Sequence, residues 1–282
     1  PTASLTTGRY YHTATELHSG KVLVTGGRTS DWSTLFSSAE LYDPATETWS
    51  PTTPMATAHA HHTTVRLDSG KVLVVGGNQP VGRLGPIGPS AEVYDPETAT
   101  WSAVNGFFTP RSRASATVLY SGKVLVTGGH LWWSSSVDAT AEANIYDPAT
   151  NSWSPAGNLA KARHGHFALR LYSGNVLIVG GIGAGNTVEL YDPYSGQWSL
   201  GPPFPYNMSP LFSATVLYSG EVLVTDALGQ AALYDPTTNS WLPTPNMNVG
   251  RINPTTTLLH TGEVLFVGGS GSSPRAVERF TR

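Results

Sequence analysis

The stretch GKVLVTGGRTSDWSTLFSSAELYDPATETW at residues 20–49 decides the fold, because the sequences at its beginning and at its end both recur along the chain. The first phrase, an apolar run closed by two glycines in all copies but the fifth, occurs six times: GKVLVTGG (20–27), GKVLVVGG (70–77), GKVLVTGG (122–129), GNVLIVGG (174–181), GEVLVTDA (220–227) and GEVLFVGG (262–269). The second phrase follows the first five copies as ELYDPATETW (40–49), EVYDPETATW (92–101), NIYDPATNSW (144–153), ELYDPYSGQW (189–198) and ALYDPTTNSW (232–241). Six copies in 282 residues give a period of about 47 residues, which indicates a repeated supersecondary unit.

Each repeat reads as four short β-strands without a helix, because apolar residues alternate or run together between Gly, Pro, Asp and Ser. A Ser-Gly or Thr-Gly pair at the start of each first phrase predicts a tight hairpin between two inner strands. Tyr-Asp-Pro predicts a turn between two outer strands. A four-stranded unit cannot bury both of its faces alone, so six of them predict an all-β, six-bladed β-propeller. We expect the Tyr and Trp residues to fill the gaps between neighbouring sheets.

The double glycine, the Tyr-Asp-Pro and the Trp, with Arg and His upstream, resemble the kelch repeat over essentially the whole chain. The resemblance implies one kelch-type β-propeller domain over residues 1–282. Its blades are expected at about 7–56, 57–108, 109–160, 161–205, 206–248 and 249–282 plus 1–6. Because residues 1–6 align with the outer-strand segment 51–56, we predict that the N-terminal strand closes the last blade.

Composition excludes several classes of partner. Only 12% of the residues are charged, the formal net charge is -3, and there is no block of Lys and Arg. Binding to a phosphate backbone needs clustered cations, so we expect no nucleic-acid partner. No apolar run reaches the roughly 18 residues of a membrane helix, so we expect no membrane insertion. The low charge and the lack of Cys favour an exported bacterial protein, extracellular or periplasmic.

One face of the propeller is the predicted binding surface. The loops that lead into the inner strands and the loops that follow the double glycines emerge together, because the two innermost strands are antiparallel neighbours joined at their other end. We call this surface the loop face. The loops after the double glycines are longer in the first three blades (28–38, 78–90, 130–142) than in the last three (182–187, 228–230, 270–275). The longer loops carry aromatic residues, including Trp32 and Phe36, and we expect ligand specificity to lie there.

Some charged residues of the loop face are assigned to the scaffold. An Arg precedes the hairpin glycine by eleven residues and a Glu precedes the Tyr, or the Phe of the last blade, by two in the same blades. Their joint occurrence predicts three ion pairs: Arg9 with Glu40, Arg163 with Glu189, and Arg251 with Glu278. These arginines are therefore not assigned to ligand binding.

Seven of the nine histidines map to the loop-face end of the inner strands or to the loops beside it. Neutral imidazole is the commonest metal ligand in proteins, so His12, His62 and His166 could together hold a Cu or Zn ion. The alternative is that a recurring His bonds to neighbouring groups where two blades meet. Both interpretations remain open from the sequence.

The segment Arg9-Tyr10-Tyr11-His12-Thr13 also resembles the inner strand of galactose oxidase and related copper radical oxidases. In those enzymes a Tyr-His pair ligates copper within a kelch-type propeller, and a second Tyr is cross-linked to a Cys. This chain contains no Cys, so that radical cofactor is excluded. A simpler metal site that uses His12 and His62 is not.

The sequence favours a non-enzymatic, monomeric kelch propeller that recognises a peptide, a protein loop or a glycan on its loop face. The expected contacts are aromatic side chains for stacking and Arg, His and Asn side chains for hydrogen bonds: Tyr10, Tyr11, Arg28, His61, Asn78, Arg113, His130, Trp132, Trp133, His164 and Asn253. The alternatives are a metal-dependent enzyme centred on His12, His62 and His166, and a structural scaffold domain of a larger protein. No Ser-His-Asp set, carboxylate pair or phosphate loop is apparent.

Overall fold

The computed structural model describes residues 2–78, 81–82, 85–86, 91–104, 109, 111–131, 139–206, 213–269 and 276–282. All regular structure in these residues is β, in 25 short strands. No helix in these ranges is long and apolar enough to cross a membrane. The chain divides into two compact units, Pro1–Ala156 and Gly157–Arg282.

The first unit contains the first three blades, each an antiparallel sheet of four strands. Blade one consists of β1 (Thr13–Glu16), β2 (Val22–Thr25), β3 (Ala39–Asp43) and β4 (Thr48–Thr52). Blade two consists of β5 (Thr63–Arg66), β6 (Val72–Val75), β9 (Ala91–Asp95) and β10 (Thr100–Ala103), with a small hairpin of β7 (Val81–Gly82) and β8 (Gly85–Pro86) between β6 and β9. Blade three consists of β11 (Ser115–Val118), β12 (Val124–Thr127), β13 (Glu142–Asp147) and β14 (Ser152–Asn158), whose last two residues lie beyond Ala156.

The second unit contains the last three blades. Blade four consists of β15 (Phe167–Arg170), β16 (Val176–Val179), β17 (Val188–Asp192) and β18 (Gln197–Leu200), and blade five of β19 (Ser213–Val216), β20 (Val222–Thr225), β21 (Ala231–Asp235) and β22 (Ser240–Pro243). Blade six has three strands, β23 (Thr255–Leu258), β24 (Val264–Val267) and β25 (Val277–Phe280). The predicted all-β fold of six antiparallel blades, a β-propeller, is confirmed.

The turns take the form that the repeated phrases predict. In blade one, Gly20 has a φ of +80° and closes the hairpin between β1 and β2, where the amide of Leu17 donates to the carbonyl of Lys21 over 2.8 Å. Between β3 and β4, Asp43 Oδ1 accepts a 2.9 Å hydrogen bond from the amide of Ala45. The side chain of the Asp thus stabilises the turn that the following Pro begins.

Apolar side chains fill the gaps between neighbouring blades, as predicted. Tyr94 of blade two is fully buried in one cluster with Leu17 and Leu23 of blade one. Its ring lies 5.0 Å from that of Trp101, and the indole Nε1 donates to the carbonyl of Thr53 over 2.8 Å. Burial of apolar area and one directed hydrogen bond therefore join blade two to the segment that precedes it, and in blade five Trp241 Nε1 likewise donates to the carbonyl of Pro202.

Residues 2–6 form no strand of their own among the described residues, and the closure of the last blade by the N-terminal segment stays a prediction. Trp49 Nε1 donates to the carbonyl of Ala3 over 2.9 Å, and the amide of Thr6 donates to Glu40 Oε2 over 2.8 Å. Residues 2–6 therefore lie against blade one in the way that residues 53–57 lie against blade two. They correspond to the chain that leaves an outer strand and leads into the next blade.

The three predicted ion pairs are present. Arg9 contacts Glu40 at 2.7 Å, Arg163 contacts Glu189 at 2.6 Å and Arg251 contacts Glu278 at 3.0 Å. The guanidinium groups also donate to main-chain carbonyls at the loop-face ends of their blades, as when Arg9 Nη1 donates to Gly26 O and Ser38 O. These arginines hold the loops to the sheet.

Candidate ligand-binding face

The loop face carries a repeated backbone feature two residues before the inner strand of each blade. We call this residue the pre-strand position. It has a positive φ in every blade in which it is described: Tyr11 (56°), His61 (55°), Arg113 (54°), Gly165 (63°) and Asn253 (51°). Only glycine takes this left-handed conformation freely, and another residue loses roughly 1–2 kcal/mol in it. Gly165 demonstrates that this backbone needs no side chain, so those of Tyr11, His61 and Arg113 call for another explanation.

Main-chain hydrogen bonds connect these positions in the first unit. The amide of His61 donates to the carbonyl of Tyr11 over 3.1 Å, and the amide of Arg113 donates to the carbonyl of His61 over 2.9 Å. The side chains of three consecutive blades are thereby held next to one another. Tyr11 and Arg113 are exposed and His61 is half-buried.

The residue after each double glycine lies beside the segment that leads into the inner strand. Isolated bridges pair Tyr10 with Arg28, Ala60 with Asn78, and Ser112 with His130 in the first unit, and His164 with Ile182 in the second. A close backbone approach makes this pairing possible: a Cβ on Gly27, whose φ is +96°, would lie 2.9 Å from the carbonyl oxygen of Tyr10. The residues after the glycines are polar in the first unit (Arg28, Asn78, His130), whereas Ile182 and Leu228 in the second are aliphatic.

Three aromatic rings and one guanidinium group form a cluster in the first unit. The rings of Tyr11 and His61 stack with centroids 3.8 Å apart, and Trp32 lies 6.2 Å from Tyr11 and 6.4 Å from His61. The Arg28 guanidinium lies over the Trp32 ring and 4.8 Å from the centroid of Tyr11. We call Tyr11, Arg28, Trp32 and His61 the aromatic cluster. Its stacking and cation–π contacts fix the side chains before any ligand arrives.

The aromatic cluster is positively charged. Burial, with the nearby charges of Arg113 and Arg28, lowers the pKa of His61 to about 3, so its imidazole is neutral at pH 7. Burial also lowers the pKa of Arg28, while Tyr11 opposes this change. Even so, an Arg guanidinium stays protonated in proteins at neutral pH. The site therefore combines neutral aromatic surfaces with the cations of Arg28 and Arg113.

The structure brings together some of the predicted contact residues and not others. Tyr11, Arg28 and His61 meet in the aromatic cluster. The main chain of Tyr10 pairs with that of Arg28, and the charge of Arg113 acts on His61. Asn78 is buried, His130 is half-buried, and in the second unit Asn253 is exposed while His164 is buried. Trp132 and Trp133 lie outside the described residues. Trp32 belongs to the site and was predicted only as a loop aromatic; its signal was its position four residues after Arg28.

The two candidate metal ligands of the first unit, His12 and His62, bond to neighbouring protein groups. Among the described residues, no group of three or more His, Cys, Asp or Glu side chains could hold a metal ion. His62 Nε2 lies 2.9 Å from Thr13 Oγ1 and 3.1 Å from Thr25 Oγ1, and His12 Nδ1 lies 3.0 Å from the carbonyl oxygen of Arg9. The imidazole of His12 thus bonds within blade one, and the imidazole of His62 in blade two bonds to two hydroxyls of blade one. The alternative interpretation of the recurring histidines therefore fits the geometry.

The sequence comparisons find kelch proteins. The family model described as "KLHDC2/KLHL20/DRC7 Kelch-repeats domain" matches residues 11–227. The chain is 27% identical over 178 residues to Kelch-like protein 23 of Mus musculus, an alignment that covers 60% of this chain and 30% of that protein. It is 34% identical over 95 residues to the F-box/kelch-repeat protein At1g67480 of Arabidopsis thaliana, which covers 32% of this chain and 25% of that protein. The chain thus spans less than a third of the length of these two relatives.

A solved structure has the same fold. It is described as a novel fungal alcohol oxidase with catalytic diversity among the AA5 family, in complex with copper. Its TM-score with this chain is 0.73 at 21% identity, and the match covers 94% of this chain and 60% of the oxidase. At that identity the likeness establishes the propeller architecture alone. Since the kelch description covers well over half of the residues, this chain belongs to the family of the KLHDC2/KLHL20/DRC7 Kelch-repeats domain.

Proposed function

We propose that the chain is a non-enzymatic protein-interaction module whose loop face binds a peptide or a loop of a partner protein. The observation that carries the proposal is the set of strained side chains at the pre-strand positions. Tyr11, His61 and Arg113 occupy a backbone conformation in which Gly165 serves blade four without strain. Side chains kept at such a cost in stability are characteristic of functional sites.

The chemistry of the aromatic cluster supports a polypeptide ligand. Exposed rings such as Tyr11 and Trp32, 48% and 59% exposed, provide apolar area and stack with little loss of side-chain entropy. Arg28, Arg113 and Asn253 add directional donors to the two units. Aromatic and Arg residues are the types that dominate binding energy at protein interfaces.

The test uses a phage-displayed library of random dodecapeptides selected on the full chain, followed by titration of the enriched peptides. We expect Tyr11→Gly and His61→Gly each to weaken binding by about tenfold or more, because the stacked pair is lost. The free energy of unfolding should change by no more than about 1 kcal/mol. Relief of the strained conformation offsets both the entropy of a new glycine and the lost stacking.

The control variant is Glu47→Gly, because Glu47 has the same left-handed conformation, with a φ of 55°, in the exposed turn between β3 and β4. It should leave peptide binding unchanged. Enriched peptides that bind the two loop-face variants as tightly as the unchanged protein would overturn the proposal, and so would a selection that yields no peptide while a glycan array yields a ligand.

A further inference from the structure

The ends of the blades away from the loop face carry a second repeated ion pair in the first unit. We call this surface the hairpin face; it consists of the hairpin between the first two strands of each blade and the turn between the last two. The residue directly before the second strand lies opposite the Asp of the Tyr-Asp-Pro turn, and in the first unit it is always a Lys. The ammonium and carboxylate groups lie 3.0 Å apart in the pairs Lys21–Asp43, Lys71–Asp95 and Lys123–Asp147. This turn Asp thus holds an ammonium group in three consecutive blades.

The second unit keeps the turn Asp in blades four and five but lacks the lysine. The strand register places Asn175 opposite Asp192 and Glu221 opposite Asp235. Glu221 pairs with Arg282. Among the described residues, no Lys, Arg or His lies within ion-pair distance of Asp192 or Asp235. Like charges on opposite strands repel each other, so blade five in particular lacks the cation that this place holds in the first unit.

Both of these aspartates are held in place and ionised at neutral pH. The hydroxyl of Ser195 donates to Asp192 Oδ2 over 2.7 Å, and the amide of Tyr194 donates to Asp192 Oδ1 over 2.9 Å. The hydroxyl and the amide of Thr237 donate to Asp235 Oδ1 over 2.6 Å and 2.8 Å. These bonds, with the hydroxyl bond as the largest cause, lower the pKa of each Asp below its ordinary value of 3.8. Each turn therefore fixes a negative charge on the hairpin face of the second unit.

Exposed tyrosine rings lie on the same face of the second unit. Tyr172 and Tyr218 occupy the hairpins of blades four and five, and Tyr194 lies in the outer turn of blade four. They are 60%, 59% and 76% exposed in that order. The hydroxyl of Tyr172 donates to the carbonyl of Leu217 over 3.3 Å, and a Cβ on Gly220 would lie 3.2 Å from Cδ2 of its ring. The ring of Tyr172 is therefore held against the hairpin of blade five.

The first unit shows that the hairpin residue of one blade and the turn Asp of the next border the same groove. His18 and Asp95 both line the groove of about 450 Å³ between blades one and two. In the repeat, His18 aligns with Tyr172 and Asp95 aligns with Asp235. The repeat therefore brings the ring of Tyr172 and the carboxylate of Asp235 to one groove between blades four and five. An aromatic ring and a carboxylate side by side attract the same cation.

We propose that the hairpin face of the second unit binds a basic segment of a partner protein, whose lysines take the places that internal lysines fill in the first unit. One ammonium group pairs with Asp192 and another pairs with Asp235 beside the ring of Tyr172. The exposed tyrosine rings pack on the apolar stems of the bound lysines. The surface lies at the other end of each blade from the loop face, so this proposal stands independently of the proposed function.

The direct test is a titration of the full chain with N-acetyl-tetralysine amide at pH 7 and low ionic strength, followed through the NMR signals of the tyrosine rings. The same peptide with its side-chain amines acetylated is the matched ligand control, because acetylation removes the charge and keeps the backbone. We expect tetralysine to shift the signals of Tyr172 and Tyr194 at millimolar concentration and the acetylated peptide to leave them in place. Equal binding of the two peptides would overturn the proposal.

Removal of the two negative charges tests which carboxylates hold the peptide. Asp192→Asn and Asp235→Asn should each weaken tetralysine binding about threefold, and the double change should weaken it about tenfold, since each removes one exposed ion pair. Asp95→Asn is the matched control in the first unit. Its carboxylate already holds Lys71, so this change should leave the affinity for tetralysine unaltered. An equal loss in Asp95→Asn would contradict the assignment to the second unit.

The sharpest variant adds the missing lysine to blade four. Asn175→Lys places an ammonium group opposite Asp192, as Lys71 stands opposite Asp95, and it should weaken tetralysine binding as much as Asp192→Asn does. Its thermal unfolding temperature should not fall, because the new pair reproduces one that the first unit holds in each blade. Asn175→Gln, which adds length without charge, should bind like the unchanged protein. A folded Asn175→Lys that binds tetralysine as tightly as the unchanged protein would overturn the proposal.

Discussion

The imidazole of His62 is buried between blades one and two, in contact with the hydroxyls of Thr13 and Thr25. Burial, followed by the charges of His59, His12 and His61, holds its pKa well below the ordinary value of 6.5. The pKa of His12 and of His61 is lowered too, with burial as the main cause. In the unfolded chain these groups bind protons below about pH 6.5, while the folded chain keeps them neutral.

We therefore expect the free energy of unfolding to be highest above pH 6.5 and to fall as the pH is lowered toward about 3. Each of these histidines contributes at most about 1.4 kcal/mol per pH unit, because the unfolded state binds more protons over this range. Urea unfolding at pH 7.5 and pH 5.0 measures the difference, which should be smaller in His62→Gln. The exposed His260 provides the control substitution. An unchanged pH dependence in His62→Gln would contradict this account of the histidines.

The sequence predicted the residue-scale roles unevenly. The Arg and Glu of these three ion pairs could be predicted because blades one, four and six have both residue types at the aligned positions and blade five has neither. The strained pre-strand position was not predicted, because Tyr, His and Arg carry no propensity for a positive φ. Gly165 and Asn253 at the aligned positions were the available signal, since Gly and Asn are the residues that accept this conformation most readily.

The ion pair of blade four connects three parts of that element. Arg163 Nη2 donates to Glu189 Oε1 at 2.6 Å, and its Nη1 donates to the carbonyls of Gly180 and Thr187. Glu189 also accepts from the amides of Ala160 and Lys161. The pair thus links the loop that leads into β15, the end of β16 and the start of β17.

We expect Arg163→Met to lower the free energy of unfolding by about 3–5 kcal/mol, because Glu189 would remain buried without its cation. Arg163→Met combined with Glu189→Gln should lose less than the single change, since the unpaired charge is gone. Arg279→Met at the exposed pair with Glu263 should lose less than about 1 kcal/mol. Urea unfolding of the four proteins checks these values. Equal losses at the buried and exposed pairs would count against a role for burial.

The strands themselves could be predicted because the sequence punctuates them with Gly, Asp-Pro and Trp at fixed spacing. The closure of blade six by residues 1–6 stays a prediction. Alignment of residues 1–6 with the outer strand of blade one is correct to the residue, since Trp49 contacts Ala3 as Trp101 contacts Thr53. The aligned residues, however, mostly follow the strand, so they support the next blade and do not add a strand of their own.

The repeat position after the double glycine is polar in the three blades of the first unit (Arg28, Asn78, His130) and aliphatic in blades four and five (Ile182, Leu228). Leu228 is 74% exposed, and blade six has Ser270 at this position. The sequence located these residues on the loop face. It could not predict which would stack, because the contact of Arg28 with Trp32 depends on the path of the loop that follows Gly27. The metal hypothesis stays a prediction for a similar reason, since alignment places a histidine at a strand end without revealing what its nitrogens contact.

Blade five departs most from the repeat. Asp226 and Ala227 replace the double glycine, and Ala232 stands where Glu189 stands in blade four. Asp226 Oδ1 instead accepts from the amides of Leu228 and Gln230, and these two bonds stabilise its own loop.

Within the second unit we expect hydrogen exchange to be faster in β20 and β21 of blade five than in β16 and β17 of blade four. Because Ser209 and Ala232 stand where blade four has Arg163 and Glu189, a local opening of blade five breaks no such pair, and its free energy should be lower. Mass spectrometry of exchanged peptides that cover these strands makes the comparison within one sample. Equal protection in the two blades would mean that Asp226 compensates fully for the missing Arg and Glu.

The glycine of blade four has an implication for how such a chain acquires new partners. Since the scaffold accepts the left-handed backbone at Gly165 without any side chain, the residues at the equivalent places can be exchanged one at a time with no prior adjustment of the sheets. Side chains at these positions can then change without a change in the sheets. The residues Tyr11, His61, Arg113 and Asn253 could be varied independently to alter what the loop face binds.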